Sequence, residues 1–474
     1  MNVLFFTPGN IAAPMQEVEL ELMQDHLDQG HKITALMCKS ELPSCWVNPG
    51  HRKLQCIYCQ SKLHNGYALL SEKIEILDMY TLTKDQQSFV NNFKIEASSN
   101  DELKKIFVET FDLGWALLST LISRDRNPYP DIQSHLPELN IWAKTALITY
   151  FSVKNHLKLR SYDQAYIFNG RTKDGRGILR AIQQSRTKLY TYNAGGVFNT
   201  YGLFEDTFIH DLHRTEQTII KFWNDEKDEN YKIQVATEFY ENRLKGKVTI
   251  GPAFAAQMKP NELPEGFNKE KKNISIFLSS EDENFAVGDH WNYPFYKDQL
   301  DGLQHIAASI SAFPDTFDFY IRVHPNLKDV YNSYTQAIKT FYHPRMKMIP
   351  AESKVNSYEL IRQSDKVITF GSTISAEAIY LNKPSIECAK SFFMYLGSNY
   401  LPNSHQELIE LLKTEDLLPL PRIGAMMYAF WWVKYGRTAR RISDLSGKGV
   451  KYNGVTIKGN RLLESLKSLQ RKLK

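Results

Sequence analysis

Arg322 and His324 stand two residues apart at the end of the apolar run 317–323 (FDFYIRV), and Pro325-Asn326 follow. Side chains two apart share one face of a strand, so a guanidinium and an imidazole would emerge together. Arginine meets phosphate with paired donors, and histidine supplies a donor or an acid near neutral pH. A second polar turn, Gly371-Ser372-Thr373-Ile374-Ser375-Ala376-Glu377, follows the run 366–370 (KVITF). Gly371 permits a tight turn, and Ser372 or Thr373 can cap a helix whose free N–H groups attract phosphate. Glu377, one turn further, is in reach of a ribose hydroxyl or of its own cap. Ser279-Ser280-Glu281 closes a third run, 273–278 (NISIFL), with groups suited to sugar or base hydroxyls. An ordinary capped helix and a backbone-satisfied histidine are the plain alternatives to these readings.

The first half offers a carboxylate. Asn169-Gly170-Arg171 and Lys173-Asp174-Gly175 follow the run 164–168 (QAYIF). Asp174 is the best-placed general base there, with an exposed turn aspartate as the alternative. Asn10 and Asn193 lie after two further strand-like runs and, with Asn169 and Arg171, belong to an acceptor side. Four of five cysteines crowd together as Cys38, Cys45, Cys56 and Cys59. Thiolates in a loop over 38–59 suit a closed, structural Zn²⁺ site; four reduced thiols are the alternative.

These groups need elements to carry them. Strand, loop, helix and strand alternate at the start: 3–6, then a helix over 14–29, then 32–37. Residues 66–125 and 138–159 read as helical, and 210–245 as a polar, solvated helix leading to a linker. A second β/α series runs from 273 to 386. Two such halves predict an α/β fold with two Rossmann-like domains facing a cleft, ligands lying beyond the carboxyl ends of the strands. The boundaries expected are 1–245 for an acceptor domain, 246–420 for a donor domain, and 421–474 for a basic, aromatic helical segment.

The 474 residues carry 58 basic and 53 acidic side chains, a net charge of +5, with 42% hydrophobic and 23% charged residues. This composition suits a globular protein and excludes collagenous, coiled-coil and disordered classes. The charge is uneven. Residues 434–474 hold 12 Lys/Arg and two Asp/Glu, so the remainder is slightly acidic. That tail, after Tyr428-Ala429-Phe430-Trp431-Trp432, suits either a last helix packed on the first domain or peripheral contact with an anionic membrane. No nucleic-acid motif accompanies it, and no apolar run is long enough to span a bilayer. A cytoplasmic location, at the inner face of the membrane, is expected. No P-loop, G-x-G-x-x-G or G-x-S-x-G pattern occurs, and no D-x-D follows a strand, so no catalytic metal is expected.

Together, RVHPN, the following SYELI and SDKVITFGSTISAEAIYLNKPSI resemble the donor-nucleotide side of GT-B glycosyltransferases of the bacterial capsule and surface polysaccharide type. FLSSEDE, FNGR and the cysteine cluster are similar to segments of the same family. The resemblance implies a GT-B-like fold and transfer of a sugar from a nucleotide-activated donor to a glycan or lipid-linked acceptor, with inversion. The His-Pro pair and the Ser/Thr turn also look like those of bacterial sialyl- and Kdo-transferases, which use CMP-activated sugars. There an Asp-Gly pair supplies the base, matched here by Asp174-Gly175, while Asn193 stands where an acidic residue is expected. A nucleotide-sugar epimerase and a glycerophosphate or polyol-phosphate transferase fit the same architecture. A thiol- or zinc-dependent binding module is the non-enzymatic alternative.

Overall fold

The computed structural model describes residues 1–6, 8–9, 11–247, 258–444 and 449–460. The chain divides into two compact units. The first gathers Met1–Arg124, Pro130–Ile209 and the chain from Gly436 onward; the second holds Asp125–Tyr129 and His210–Tyr435. Each is α/β and is built on a sheet with a parallel core.

In the first unit, β1 (Asn2–Phe5), β2 (Lys32–Met37), β3 (Glu75–Asp78), β4 (Gln164–Phe168), β5 (Lys188–Ala194), β6 (Thr200–Glu205) and β12 (Arg437–Thr438) form one sheet. Their order is β12-β6-β5-β4-β1-β2-β3. Val3, Leu4 and Phe5 are at most 1% exposed, as a central parallel strand covered on both faces requires. The strands from β5 to β3 run parallel, and β6 and β12 are antiparallel. Chain order reverses between β1 and β4, so the loops after those strands part and leave a crevice. The helix Met15–Leu27 returns the chain from β1 to β2.

In the second unit, β7 (Lys272–Phe277), β8 (Phe317–Arg322), β9 (Met346–Ile349), β10 (Lys366–Thr369) and β11 (Ser385–Glu387) form an all-parallel sheet in the order β11-β10-β7-β8-β9. Its strand interiors are continuous apolar runs, such as Ile274, Ile276, Phe319 and Ile321, all fully buried. The reversal here falls between β7 and β10.

Several expected boundaries differ. The 66–125 region holds β3 and three separate helices, Lys84–Asn92, Asn100–Lys104 and Leu113–Asp125. The division expected at 245/246 falls after Ile209. The helices Leu212–Asp225 and Glu229–Leu244 are not a solvated linker. They bury Ile219, Trp223, Phe239 and Tyr240 against Tyr428, Phe430 and Trp431 of the helix Ile423–Lys434. The aromatic block of the tail is therefore core, not a membrane-facing surface. The described chain beyond it, 436–444 and 449–460, forms short strands: β12 on the sheet edge, and β13 (Ile442–Ser443) paired with β14 (Lys451–Tyr452); the helical expectation for 461–474 falls outside the described residues. Arg440 and Arg441 are bound to Asp25 of the Met15–Leu27 helix, and Arg441 also reaches Glu21 and Asp28. Two of the tail's 12 basic side chains thus neutralise an acidic helix. The basic end, 470–474, lies outside the described residues. Among the described residues no helix is long and apolar enough to cross a membrane.

Candidate active site

The parallel sheet of the second unit delivers three loops to one edge. Arg322 ends β8, and its guanidinium donates to the carbonyls of Pro350 and Ser353, the latter at 3.1 Å. Burial pushes this guanidinium down to about 10. Arg322 therefore clamps the loop after β9, and its buried Nε has no hydrogen-bond partner among the described residues. It lines a cavity of about 530 Å³ with Arg126, Asn326, Lys328 and Lys354, alongside Asp329 and Glu352. Four cationic side chains and two carboxylates line this hollow, and one of the four, Arg126, is paired with Asp282.

Arg126 was invisible to sequence reasoning, being some 150 to 200 positions from its partners. Its Nε donates to Asp282 at 3.0 Å, one Nη to Ser280 Oγ at 2.7 Å, and the other to the Asn326 carbonyl at 3.0 Å. Its own carbonyl accepts from Asn332 Nδ2 at 3.0 Å. One side chain thus fastens the loops after β7 and β8 together.

His324 is half-buried. Its Nδ1 accepts from the Asn326 amide at 3.2 Å, which places the neutral ring's proton on Nε2. Burial, then Arg322 and Arg126, push it down to about 4. Of the two expected roles, donor or acid, the neutral ring's Nε2–H suits the donor.

Glu281 is scaffolding. Its carboxyl accepts from the Gln299 amide at 2.8 Å and from the Tyr334 hydroxyl, and burial pushes it up to about 8. The Gln299 side chain in turn accepts from the Ser279 amide at 2.9 Å. Ser279 and Ser280 are buried behind this network, Ser280 donating to Asp282 at 2.9 Å.

The Gly371 turn is built as expected at its first residues only. Gly371 has φ +73°, and a Cβ there would meet the Lys390 carbonyl oxygen at 2.9 Å. Ser372 Oγ accepts from the Ile374 amide at 3.3 Å, and Thr373 occupies the cap position without a side-chain cap bond. Ser375 and Glu377 point inward. Ser375 is fully buried and bonds Ser385 Oγ at 2.9 Å and Asn399 Oδ1 at 2.6 Å. Glu377, 2% exposed, accepts from Arg243 Nε at 2.5 Å. Both belong to the core; neither is placed for a ribose.

In the first unit, the crevice between β1 and β4 is a cavity of about 270 Å³. Asn169, Arg171, Thr172 and Asp174 line it from the loop after β4, and Pro8 and Gly9 from the loop after β1. Asp174 is 6% exposed, not a solvated turn residue. It pairs with Lys173 Nζ at 2.8 Å and accepts from the Trp46 amide at 3.1 Å. Burial raises its pKa and the Lys173 charge opposes the rise. Asn169, at φ +59°, accepts from the Arg171 amide at 3.2 Å, and Arg171 donates to Ser123 Oγ at 3.1 Å. Asn193 is corrected: it lies inside β5, paired with Gly202 of β6, and is not among the residues lining this cavity. Asn10 lies outside the described residues.

The cysteines do not sit in one loop. Cys56 and Cys59 fall on the helix Lys53–Tyr67, and all four are half-buried around one small hollow. Burial raises Cys38 and pushes Cys45 up to about 12, keeping both as thiols. Asn48 Nδ2 donates to Cys56 Sγ at 3.1 Å. Among the described residues no group of three or more His, Cys, Asp or Glu side chains is placed to hold a metal ion. The expected zinc set is not assembled.

No family model matches the sequence, and no curated protein matches it. Solved structures do. KpsC of Thermosulfurimonas dismutans, a beta Kdo 2,4 transferase, is 13% identical over 65% of this chain and 87% of its own, with a TM-score of 0.39. The UDP-GlcNAc 2-epimerase of Methanocaldococcus jannaschii, in complex with UDP-GlcNAc and UDP, is 12% identical over 92% and 99%, TM-score 0.29. The glycosyltransferase SnogD of Streptomyces nogalater is 10% identical over 93% and 97%, TM-score 0.26.

Proposed function

We propose that this chain is a glycosyltransferase of bacterial surface polysaccharide synthesis, moving a sugar from a nucleotide-activated donor to a glycan or lipid-linked acceptor. The observation that carries the reading is the cationic cavity beyond β8 and β9, fed by Arg126, Arg322, Lys328 and Lys354. Such a site stabilises the negative charge that grows on a departing nucleotide phosphate, and His324 adds a neutral donor at the same strand end. In this reading the charge is met by side chains rather than by a catalytic metal.

The acceptor is assigned to the β1/β4 crevice. Asp174 takes the proton from an acceptor hydroxyl as that oxygen bonds to the anomeric carbon. The bond from that carbon to the phosphate oxygen breaks, and the nucleotide leaves with the electron pair. Attack from the side opposite the leaving group inverts the anomeric centre. Burial tunes Asp174 toward a base of useful strength near neutral pH.

Melting the protein with UDP, GDP, CDP, CMP or dTDP tests the donor site, because a ligand of the folded state raises stability by mass action. The reading expects one nucleotide class to stabilise the chain clearly. Incubation with the matching nucleotide-sugar alone then separates the alternatives: a transferase returns it intact or slowly hydrolysed, and an epimerase converts it.

A further inference from the structure

Trp46 is 56% exposed, the most exposed tryptophan among the large apolar side chains left in solvent. It is not a loose surface residue. It sits at the tip of a two-residue turn in which Cys45 and Asn48 exchange backbone hydrogen bonds at 3.4 and 3.0 Å. Both feet of the turn are held. Ser44 is bound through its amide and carbonyl to Thr145 Oγ1 at 3.2 and 2.8 Å, and Asn48 is bound to Arg52 at 3.0 and 2.9 Å. Val47 packs on Gly9 so closely that a Cβ at Gly9 would lie 2.9 Å from Val47 Cγ2. The Trp46 amide donates to one oxygen of the Asp174 carboxylate at 3.1 Å, and Lys173 Nζ holds the other at 2.8 Å.

A single exposed apolar side chain is ordinary in itself; what sets Trp46 apart is that its turn is held at both feet and borders a cavity. Trp46 lines the same cavity as Asp174, Asn169 and Arg171, so the walls include both an aromatic residue and hydrogen-bonding residues. A sugar ring suits both: its C–H face lies on an aromatic ring, and its hydroxyls reach a carboxylate, an amide and a guanidinium. The volume of about 270 Å³ suits one ring or two rather than a long chain.

We infer that Trp46 is the platform for the acceptor sugar, and that its own amide fixes the base to which that sugar presents a hydroxyl. The inference rests on the glycosyl-transfer reading and assigns it an acceptor-specificity residue. Because ring and amide belong to one residue, the acceptor ring and Asp174 are held in a fixed mutual position, which favours a near-attack geometry.

The test is saturation-transfer NMR with the methyl glycosides of glucose, galactose, mannose and N-acetylglucosamine as probes. The result expected is transfer to the ring C–H protons of at least one glycoside with the full chain. Trp46→Ala should weaken that binding about tenfold, the loss of one buried aromatic contact, and Trp46→Phe should restore most of it. Absence of transfer to all four, or equal transfer in Trp46→Ala, overturns the inference. Nucleotide-induced stabilisation, measured on the same samples, keeps the two claims apart. Stabilisation without sugar binding defeats only the Trp46 assignment, and sugar binding without any nucleotide response defeats the transferase reading.

Discussion

At the residue scale, the proposed transfer rests on Asp174 as its base. A carboxylate 6% exposed, with one lysine partner and one backbone donor, is held in place and made more basic than a solvated one. Asp174→Asn keeps an acceptor for the Trp46 amide and removes the proton sink. Transfer is expected to fall by about 10²–10⁴-fold while the nucleotide-induced rise in melting temperature persists. Full turnover in that variant would assign the base elsewhere. In the wild type, kcat/KM should rise with pH along a limb lying above the usual carboxylate range, and Asp174→Asn should lose that limb. Glu281 makes a separate prediction. Its carboxyl is pushed up to about 8 from an ordinary 4.5, so the folded state holds a proton that the unfolded chain has lost. Its contribution to stability is full below pH 4.5 and is lost as pH rises toward 8. Denaturant melts across that window should show Glu281→Gln gaining on the wild type as pH rises; a constant difference would mean that Glu281 does not titrate there.

Elements explain which parts of the site could be read from sequence. Apolar runs that end in Gly, Pro or Ser gave β1, β2, β4, β7, β8 and β10 nearly to the residue, because both-faced burial leaves a plain signal. The loops after them followed from the rule on strand ends. Three things did not follow. Arg126 lies between two helices of the other unit in chain order, and only tertiary folding brings it to Asp282 and Ser280. Ser375 and Glu377 have the spacing of a ligand turn, yet their hydrogen bonds to Asn399 and Arg243 turn them into the core. Trp46 carries no periodicity at all, since a two-residue turn has none. At this scale Gly371 is the critical hinge between strand and turn. Gly371→Ala forces a side chain into left-handed backbone and against a carbonyl that cannot yield. A loss of roughly 1–3 kcal/mol is expected in denaturant melts, together with weaker nucleotide binding. A neutral substitution would show that the turn can relax.

Over the whole molecule, the net charge of +5 describes neither end of the chain well. The tail's arginines return to the first unit, where Arg441 meets Glu21, Asp25 and Asp28. Glu21 is fully buried and also accepts from the amides of Arg440 and Arg441 at 2.9 and 3.0 Å. Arg441→Ala leaves that carboxylate with the two amides and the more distant Arg440 Nε at 3.9 Å, and a destabilisation of about 1–3 kcal/mol is expected by thermal or chemical melting. An unchanged melt would return the segment to the role of a solvated tail. The same bookkeeping of charge sets the central claim, since the hollow of the second unit is lined by Arg126, Arg322, Lys328 and Lys354, of which Arg126 is paired with Asp282, against Asp329 and Glu352. The most direct measurement is the binding of UDP, GDP, CDP, CMP and dTDP by calorimetry to the wild type and to the double variant Lys328→Ala/Lys354→Ala, whose exposed side chains leave the fold intact. The account predicts that one nucleotide class binds the wild type and binds the variant about tenfold or more weakly, with the loss shrinking at high salt. Equal affinity in the two proteins, or no binding of any of the five, would contradict it.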